Sequence, residues 1–319
     1  MGRRDPRADV VDDDPFQGIR SSPKRVHRVH QHMDRDGTVH IDAPPALASA
    51  MAQFFGQDTW AKPQHHTGKI WHFSDVEKQH LRQAMGAFTI ALGLMMVGGL
   101  PGLNRLGTST WVVMFLLSLP VMFVAVGPAF LFHEIGHKLV AKRNGCWAEF
   151  RADPKGLQFG VVLSLLLGFL FMAPGAVMVA GLVSRRQNGH IAVAGPMTNL
   201  GLFLIGIPLW GLILGLTGAF ETASELGGRG EYLSDGRLVW KQMLIDCGAF
   251  WLGANLALGL FNMLPFGPLD GLKVRDWNEG AFFAAILIFI IPAVAFMLGY
   301  WSPTGLLTAV ADPISNLIR

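Results

Sequence analysis

Two histidines and a glutamate stand in a pattern that predicts a metal site: His133-Glu134-Ile135-Gly136-His137. On a helix, residues four apart lie on one face, so His133 and His137 can bind the same metal ion. Glu134, next to the first histidine, is then positioned to take a proton from a water molecule at the metal. The motif therefore predicts metal-dependent hydrolysis with Glu134 as the catalytic base.

The motif follows an apolar stretch that is long enough to cross a membrane. Residues 111–132 are 22 residues without a charged side chain, and about 20 apolar residues span a bilayer as a helix. Charged and metal-binding groups are costly inside lipid, so their presence there predicts a functional site. We therefore expect the active site to lie within the membrane.

A catalytic zinc site takes three protein ligands, so one more ligand is expected beyond the histidine pair. Asp270 is the candidate, because Pro265 and Pro268 break the preceding helix and turn the chain back towards the other helices. Asp-Gly after a proline is also an ordinary turn signal. The expected topology puts Asp270 on the same cytosolic side of the membrane as His137, which favours the interpretation of Asp270 as a ligand. We predict one Zn²⁺ per chain, although two histidines and a carboxylate also suit other divalent metals.

Composition is typical of a membrane protein, since 51% of the residues are hydrophobic and only 15% are charged. The first 82 residues are polar and hold 12 of the 26 Lys and Arg residues and 8 of the 11 His residues. We predict two domains: a His-rich, largely disordered cytosolic tail over residues 1–82, and a transmembrane metalloprotease domain over residues 83–319. The net charge of +3 is too small, and too localised at one end of the chain, to indicate nucleic-acid binding.

Two short elements are expected in the tail, a strand at residues 39–41 and a helix at residues 46–55. Five histidines cluster around them, His27, His30, His32, His65 and His66. This cluster suggests a second metal site, but no tight ligand spacing or cysteine accompanies it. We favour the interpretation that these histidines are solvated polar residues.

The apolar runs predict an all-α polytopic membrane protein with five to six transmembrane helices. Ser74-Asp75-Val76-Glu77 is a capping-box signature, so the first helix is expected to begin at Ser74. The spans are expected near residues 84–100, 111–140, 189–216, 240–264 and 281–300. Residues 306–319 are too short to cross and are expected at the membrane interface.

Residues 159–183 form an uncharged stretch of 25 residues that could span the membrane or return to the side from which it enters. The excess of Lys and Arg in cytosolic loops decides between the two. If the stretch crossed, Arg185, Arg186, Lys273 and Arg275 would all lie outside. We therefore predict a re-entrant or strand-forming segment near the active site. Non-helical backbone within a membrane is tolerated only where protein or a water-filled cavity surrounds it.

Three motifs together resemble the site-2 protease family of intramembrane zinc metalloproteases, and the resemblance covers residues 83–300. They are His133-Glu134-x-x-His137, Gly195-Pro196-x-x-Asn199 and Asn262-x-x-Pro265-x-x-Pro268-Leu269-Asp270-Gly271, in the order of the family. The resemblance implies a zinc endopeptidase that hydrolyses membrane-anchored substrates near the cytosolic face, as in regulated intramembrane proteolysis. It also implies that Asn199 and Asn262 bind the substrate backbone or the oxyanion, while contacts between helices remain an alternative for both.

A substrate that is a transmembrane helix must unwind locally, because its carbonyls are occupied by intrahelical hydrogen bonds. We expect an edge strand around Pro174 and Gly175 to hold it extended by strand addition. The expected partners are single-span or membrane-anchored proteins and the lipid bilayer, with homo-oligomers left open. The expected location is the cell membrane, as a multi-pass protein with its N-terminal tail in the cytosol.

Two other functions were weighed against this one. A membrane-anchored peptidase with a cytosolic catalytic domain would take a glutamate as third ligand, and Glu149 is the only one close after His137. A non-proteolytic metal-binding scaffold or transporter would not need the base Glu134. A transporter would also be expected to have internal repeats, and none is visible.

Overall fold

The computed structural model describes residues 30–33, 39–42, 69–172, 174–180, 183–222, 231–234 and 236–318. The chain divides into two compact units, Met1–His66 and Thr67–Arg319. In the first unit, strands β1 (His30–Met33) and β2 (Val39–Asp42) pair antiparallel, with His32 opposite His40. The strand expected at residues 39–41 is thus confirmed, whereas the helix expected at residues 46–55 lies outside the described residues.

The second unit is built mainly of helices, and its elements follow one another in this order: α1 (Asp75–Met96), α2 (Pro101–Leu106), α3 (Thr108–Arg143), β3 (Trp147–Ala152), α4 (Pro154–Leu167), β4 (Gly175–Ala180), α5 (Arg185–Thr217), a 3₁₀ turn (Ala219–Thr222), β5 (Leu233–Ser234), β6 (Arg237–Leu238), α6 (Trp240–Asn262), α7 (Asp270–Trp277), α8 (Glu279–Met297) and α9 (Pro303–Ile318). Because the second unit begins at Thr67, helix α1 lies across the domain boundary expected at residue 82.

Side-chain caps explain where several of these helices begin. Ser74 caps α1 by accepting a hydrogen bond from the backbone N–H of Glu77, at 3.1 Å. Ser184 caps α5 with a complete capping box, in which the Gln187 side chain also accepts from the Ser184 N–H. Asn278 caps α8 through the Ala281 N–H. Each cap satisfies a donor that the first turn of a helix leaves free.

Four of the described helices are long and apolar enough to cross a membrane: α3, α5, α6 and α8. Helix α3 has 36 residues, which at 1.5 Å each gives about 54 Å, more than the roughly 30 Å of a hydrocarbon core. The all-α polytopic architecture is therefore confirmed. Helix α1, which the sequence counted as a further span, carries charged residues through its first two turns.

Residues 159–183 form no single helix in the part of the chain that the structure describes. Helix α4 ends at Leu167, with Gly168 in a left-handed conformation as its C-cap. Strand β4 follows and pairs antiparallel with β3, with Phe150 opposite Val177 and Ala152 opposite Gly175. The strand-forming segment expected here is confirmed, and it joins a strand that begins four residues after the metal-motif helix ends.

Helix α3 lies at the centre of the bundle and packs against α1, α5 and α6. At Gly136, inside the metal motif, α5 approaches so closely that an added Cβ would lie 3.0 Å from the Ala194 carbonyl oxygen. Small residues at such crossings allow two helix backbones to come together within a membrane. The contact brings the motif on α3 directly against α5.

Candidate metal centre

Three predicted ligands meet at one buried point: His133, His137 and Asp270. The two histidines lie one turn apart on α3. Asp270 is the first residue of α7, which follows the non-helical segment that contains Pro265 and Pro268. The Nε2 atoms of the histidines are 3.0 Å apart. Oδ2 of Asp270 lies 3.1 Å from Nε2 of His137 and 3.5 Å from Nε2 of His133.

These separations fit a tetrahedral zinc site. Zinc bonds of about 2.0–2.1 Å to nitrogen and oxygen give a tetrahedron whose edges are about 3.3–3.4 Å. The three measured distances, from 3.0 to 3.5 Å, are close to that edge length. A fourth position then remains for water or substrate, as catalytic zinc sites require.

The protonation of the two imidazoles also fits a bound cation. Nδ1 of His137 lies 2.7 Å from the Ile191 carbonyl oxygen, which can only accept, so Nδ1 carries the proton. Nδ1 of His133 likewise lies 2.6 Å from Oδ1 of Asn199. In a neutral imidazole the other nitrogen then has a free lone pair. Two lone pairs and a carboxylate therefore face one point, and such a set of donors is what a divalent metal binds.

Asn199 is fully buried and fixes the orientation of His133. Its Nδ2 donates to the Ala129 carbonyl and to Oδ1 of Asn255, at 3.0 and 2.9 Å, which leaves Oδ1 for His133. Asn255 in turn donates to the Trp251 carbonyl. This chain of amides from α6 through α5 to α3 orients a ligand and is a contact between helices, the alternative that the sequence left open for Asn199. A role of Asn199 towards substrate stays a prediction.

Gly195 on α5 leaves the space in which the metal would lie. A Cβ at this position would be 2.6 Å from Nε2 of His133 and would also collide with Nε2 of His137. Only a residue without a side chain therefore fits beside the ligand atoms. The sequence contained this glycine within a motif but gave no indication of what it faces.

Glu134 and Asp270 lie together at the site. The Glu134 side chain is buried, and the Val177 backbone of β4 contacts its carboxylate. Burial raises the pKa of a carboxyl group, but His137 and His133 outweigh it and hold the pKa of Asp270 well below its usual range. Asp270 is therefore a carboxylate at neutral pH, the form that binds a metal. Lys273 is partly exposed, with Nζ 3.5 Å from Oδ1 of Asp270.

The remaining predicted residues have varied surroundings. The Asn262 amide donates to the Leu258 carbonyl of its own helix, so its role towards substrate stays a prediction. The Pro174 carbonyl accepts from the Asp153 N–H, and Gly175 begins β4 with a φ of 129° that favours glycine. Glu149 binds Ser74 and Arg151 and is not part of the ligand group, so Asp270 rather than Glu149 completes the site.

The sequence did not indicate two residues near the site. They are Asn255 and Glu77, which forms an ion pair with the metal-motif helix. Asn255 is a buried amide inside an apolar spanning helix, and such polar residues predict a functional contact. Glu77 belongs to a capping-box signature, but its carboxylate binds Lys138 of the motif helix. Both would have required knowledge of which helices pack together.

Known proteins were compared with the chain. No family model and no solved structure matches it. MJ0611 of Methanocaldococcus jannaschii is 36% identical over 190 residues, which cover 59% of this chain and 81% of MJ0611. YwhC of Bacillus subtilis is 28% identical over 170 residues, 50% of this chain and 68% of YwhC. Each is named "Putative zinc metalloprotease".

The relatives and the geometry agree on the chemistry of the site. The relatives' names imply zinc, and the three buried ligands form a set that can hold it. Four of the described helices are apolar and of spanning length, as in a multi-pass membrane protein. The chain belongs to the zinc metalloprotease family that includes MJ0611.

Proposed function

We propose that this protein is an intramembrane zinc endopeptidase of the site-2 protease type, which cuts membrane-anchored proteins near the cytosolic face. One observation carries the proposal: the ligands His133 and His137 and the base Glu134 are buried within a helix that is long and apolar enough to span a bilayer. A soluble protease would have no need to hold its ligands on such a helix. Metal-binding groups at that depth are costly and mark function.

The residues of the chain supply most of the catalytic geometry. His133, His137 and Asp270 would hold the ion, and zinc bound there would polarise the scissile carbonyl and activate water. Glu134, with no ligand role, accepts the proton of the attacking water and passes it to the leaving amine. The Val177 backbone contact holds the Glu134 carboxylate beside the ligands.

Strand β4 offers a backbone edge on which an unwound substrate could bind. The Phe150 and Ala152 N–H groups of β3 donate to Glu77 and His80, away from β4. In an antiparallel pair, residues alternate between facing the partner strand and facing away. Val177 and Val179, which lie opposite Phe150 and Ala148, therefore direct their N–H and C=O groups to the outer edge of β4. The Val177 N–H there donates to the Glu134 carboxylate, so the Val177 C=O and both backbone groups of Val179 remain for substrate. Among the described residues no third strand covers that edge.

The charges at the helix ends support a cytosolic location for the site. Arg185 at the start of α5 lies 3.2 Å from Asp276 of α7, and Ile191 contacts His137. The end of α3, the start of α5 and α7 are therefore neighbours. This side carries six basic residues: Lys142, Arg143, Arg185, Arg186, Lys273 and Arg275. An excess of Lys and Arg is typical of the cytosolic side.

Cleavage in vitro tests the proposal. Purified full-length protein in liposomes, with one Zn²⁺ per chain, is expected to cut members of a panel of single-span substrates. Chelation is expected to abolish cleavage, and stoichiometric Zn²⁺ to restore it, because the ligands need an ion to form the site. Stoichiometric zinc without cleavage across substrates and lipids would instead favour the non-proteolytic metal-binding scaffold.

Blocking the outer edge of β4 tests strand addition. Val179→Pro removes one outward N–H while leaving the hydrogen bonds between β3 and β4 intact. Loss of one backbone hydrogen bond, about 0.5–1.5 kcal/mol, predicts a fall in kcat/KM of about 3- to 10-fold with zinc retained. Val179→Ala keeps the N–H and is the matched control, expected near the wild-type value. Equal kcat/KM in both variants would remove this mode of binding.

A further inference from the structure

A buried ion pair joins the first turn of α1 to the metal-motif helix. Glu77 binds Lys138, the residue that follows the ligand His137, and both side chains are 1% exposed. Nζ of Lys138 also lies 3.7 Å from the centre of the Phe73 ring. Burying two charges carries a desolvation penalty that often equals or exceeds the attraction between them. Stability alone therefore does not account for this pair.

The Glu77 carboxylate has a second partner in the sheet. Its Oε1 accepts a hydrogen bond of 3.0 Å from the Phe150 N–H of β3. Phe150 lies opposite Val177 of β4, and the Val177 backbone contacts the Glu134 carboxylate. One carboxylate group thus connects the helix that carries the metal ligands with the sheet whose outer edge lies at the catalytic base.

We propose that Glu77 is a positioning residue. It sets where strand β4, and a substrate bound to it, lies along the metal-motif helix relative to Glu134 and the metal ligands. The inference rests on the proposed function, because it gives β4 the role of the substrate-binding strand. Lys138 fixes the carboxylate relative to the ligand helix, and the Phe150 N–H transfers that position to the sheet. Without this acceptor, β3 and β4 are free to shift along the helix. A shift by a fraction of a residue misaligns the scissile bond.

Two double variants of the full-length protein separate positioning from charge burial. Glu77→Gln/Lys138→Met removes both charges and keeps a carbonyl acceptor for the Phe150 N–H. Glu77→Leu/Lys138→Met removes both charges and the acceptor. Both variants remove the two paired charges together, and replacement of a buried ion pair by apolar residues is commonly tolerated. The neighbouring buried Lys142 keeps its hydrogen bond to the His72 carbonyl in both, so its surroundings are matched. The comparison therefore isolates the hydrogen bond to the sheet.

We expect both variants to bind one zinc ion, since no ligand is changed. The Gln/Met variant is expected to cleave within about 3-fold of wild type, the order of effect of altering a single hydrogen bond. The Leu/Met variant is expected to lose about 10-fold or more in kcat and to cut at neighbouring peptide bonds, as mass spectrometry of the products would reveal. A single unchanged cleavage site at the wild-type kcat in the Leu/Met variant would overturn the inference.

Ser74→Ala is the control for weakening the start of α1, since it removes the helix cap and the contact with Glu149 but not the Glu77 carboxylate. It is expected to lower thermal stability without changing the cleavage site. If the wild type cleaves no substrate, the proposed function fails, and hydrogen exchange of the amides in β4 tests Glu77 separately. Faster exchange in the Leu/Met than in the Gln/Met variant is expected, and equal exchange would overturn the inference.

Discussion

Glu134→Gln is expected to retain zinc and to lose cleavage by a factor of about 10² to 10⁴, the usual contribution of a general base. Glutamine has the shape of glutamate, so His133, His137 and Asp270 keep their positions. It cannot accept a proton from water, however, and the reaction loses the group that takes it. Because Glu134 is not among the three ligand residues, metal content is expected to stay at one ion per chain.

Glu149→Gln is the matched control for this prediction. Glu149 is the other acidic residue close after the motif, and its carboxylate binds Ser74 and Arg151 rather than the site. It is expected to leave metal content and kcat near wild type. Cleavage rates from single-turnover assays and metal analysis of the same samples provide the measurement. Undiminished cleavage by Glu134→Gln would exclude Glu134 as the base.

The histidine pair could be predicted from local spacing, whereas Asp270 also required the expected topology and the resemblance to a family. The His133 and His137 spacing requires only one helical turn, and the prolines before Asp270 mark a break that returns the chain. The structure brings these three together as expected. The orienting groups could not be predicted in the same way. Asn199 and Asn255 are 56 residues apart, and their contact depends on how α5 and α6 pack.

Glu77 illustrates how a local signal can be correct about an element and wrong about a side chain. Ser-x-x-Glu predicted the start of a helix, and Ser74 does cap α1. In a capping box the glutamate side chain returns to the cap, but Glu77 binds partners 61 and 73 residues along the chain. A buried lysine needs a charged partner more than an exposed N–H needs an acceptor.

Hydropathy alone could not have identified β4, because residues 159–183 are apolar throughout. Charge asymmetry led to the prediction that the stretch does not cross, and Gly168 and Pro174 marked breaks within it. The pairing of β4 with β3 follows from tertiary structure: strand register depends on the partner strand, which lies more than 20 residues earlier. The type of segment was therefore predictable, whereas the residues that face Glu134 were not.

Tight packing at Gly195, beside the histidine ligands, leads to the second large effect. Alanine in the interior of a helix is normally more favourable than glycine by about 0.5–1 kcal/mol. Gly195→Ala is therefore expected to leave helix α5 formed. The added methyl group would collide with Nε2 of both His133 and His137, the two nitrogen atoms that would bind the metal. The two histidine side chains must therefore move from the positions in which their Nε2 atoms face one point, while the backbone of α5 is unchanged.

We expect Gly195→Ala to bind zinc about 100-fold more weakly than wild type, the upper end of the effect of losing a ligand-orienting contact, and to lose cleavage in proportion. Gly201→Ala is the matched control, because a Cβ at Gly201 of the same helix meets nothing within 4 Å. Zinc affinity by competition with a chelator, together with thermal unfolding, distinguishes the two. Wild-type zinc affinity in Gly195→Ala would mean that the ligands bind the ion away from α5, and the proposed site would have to be redrawn.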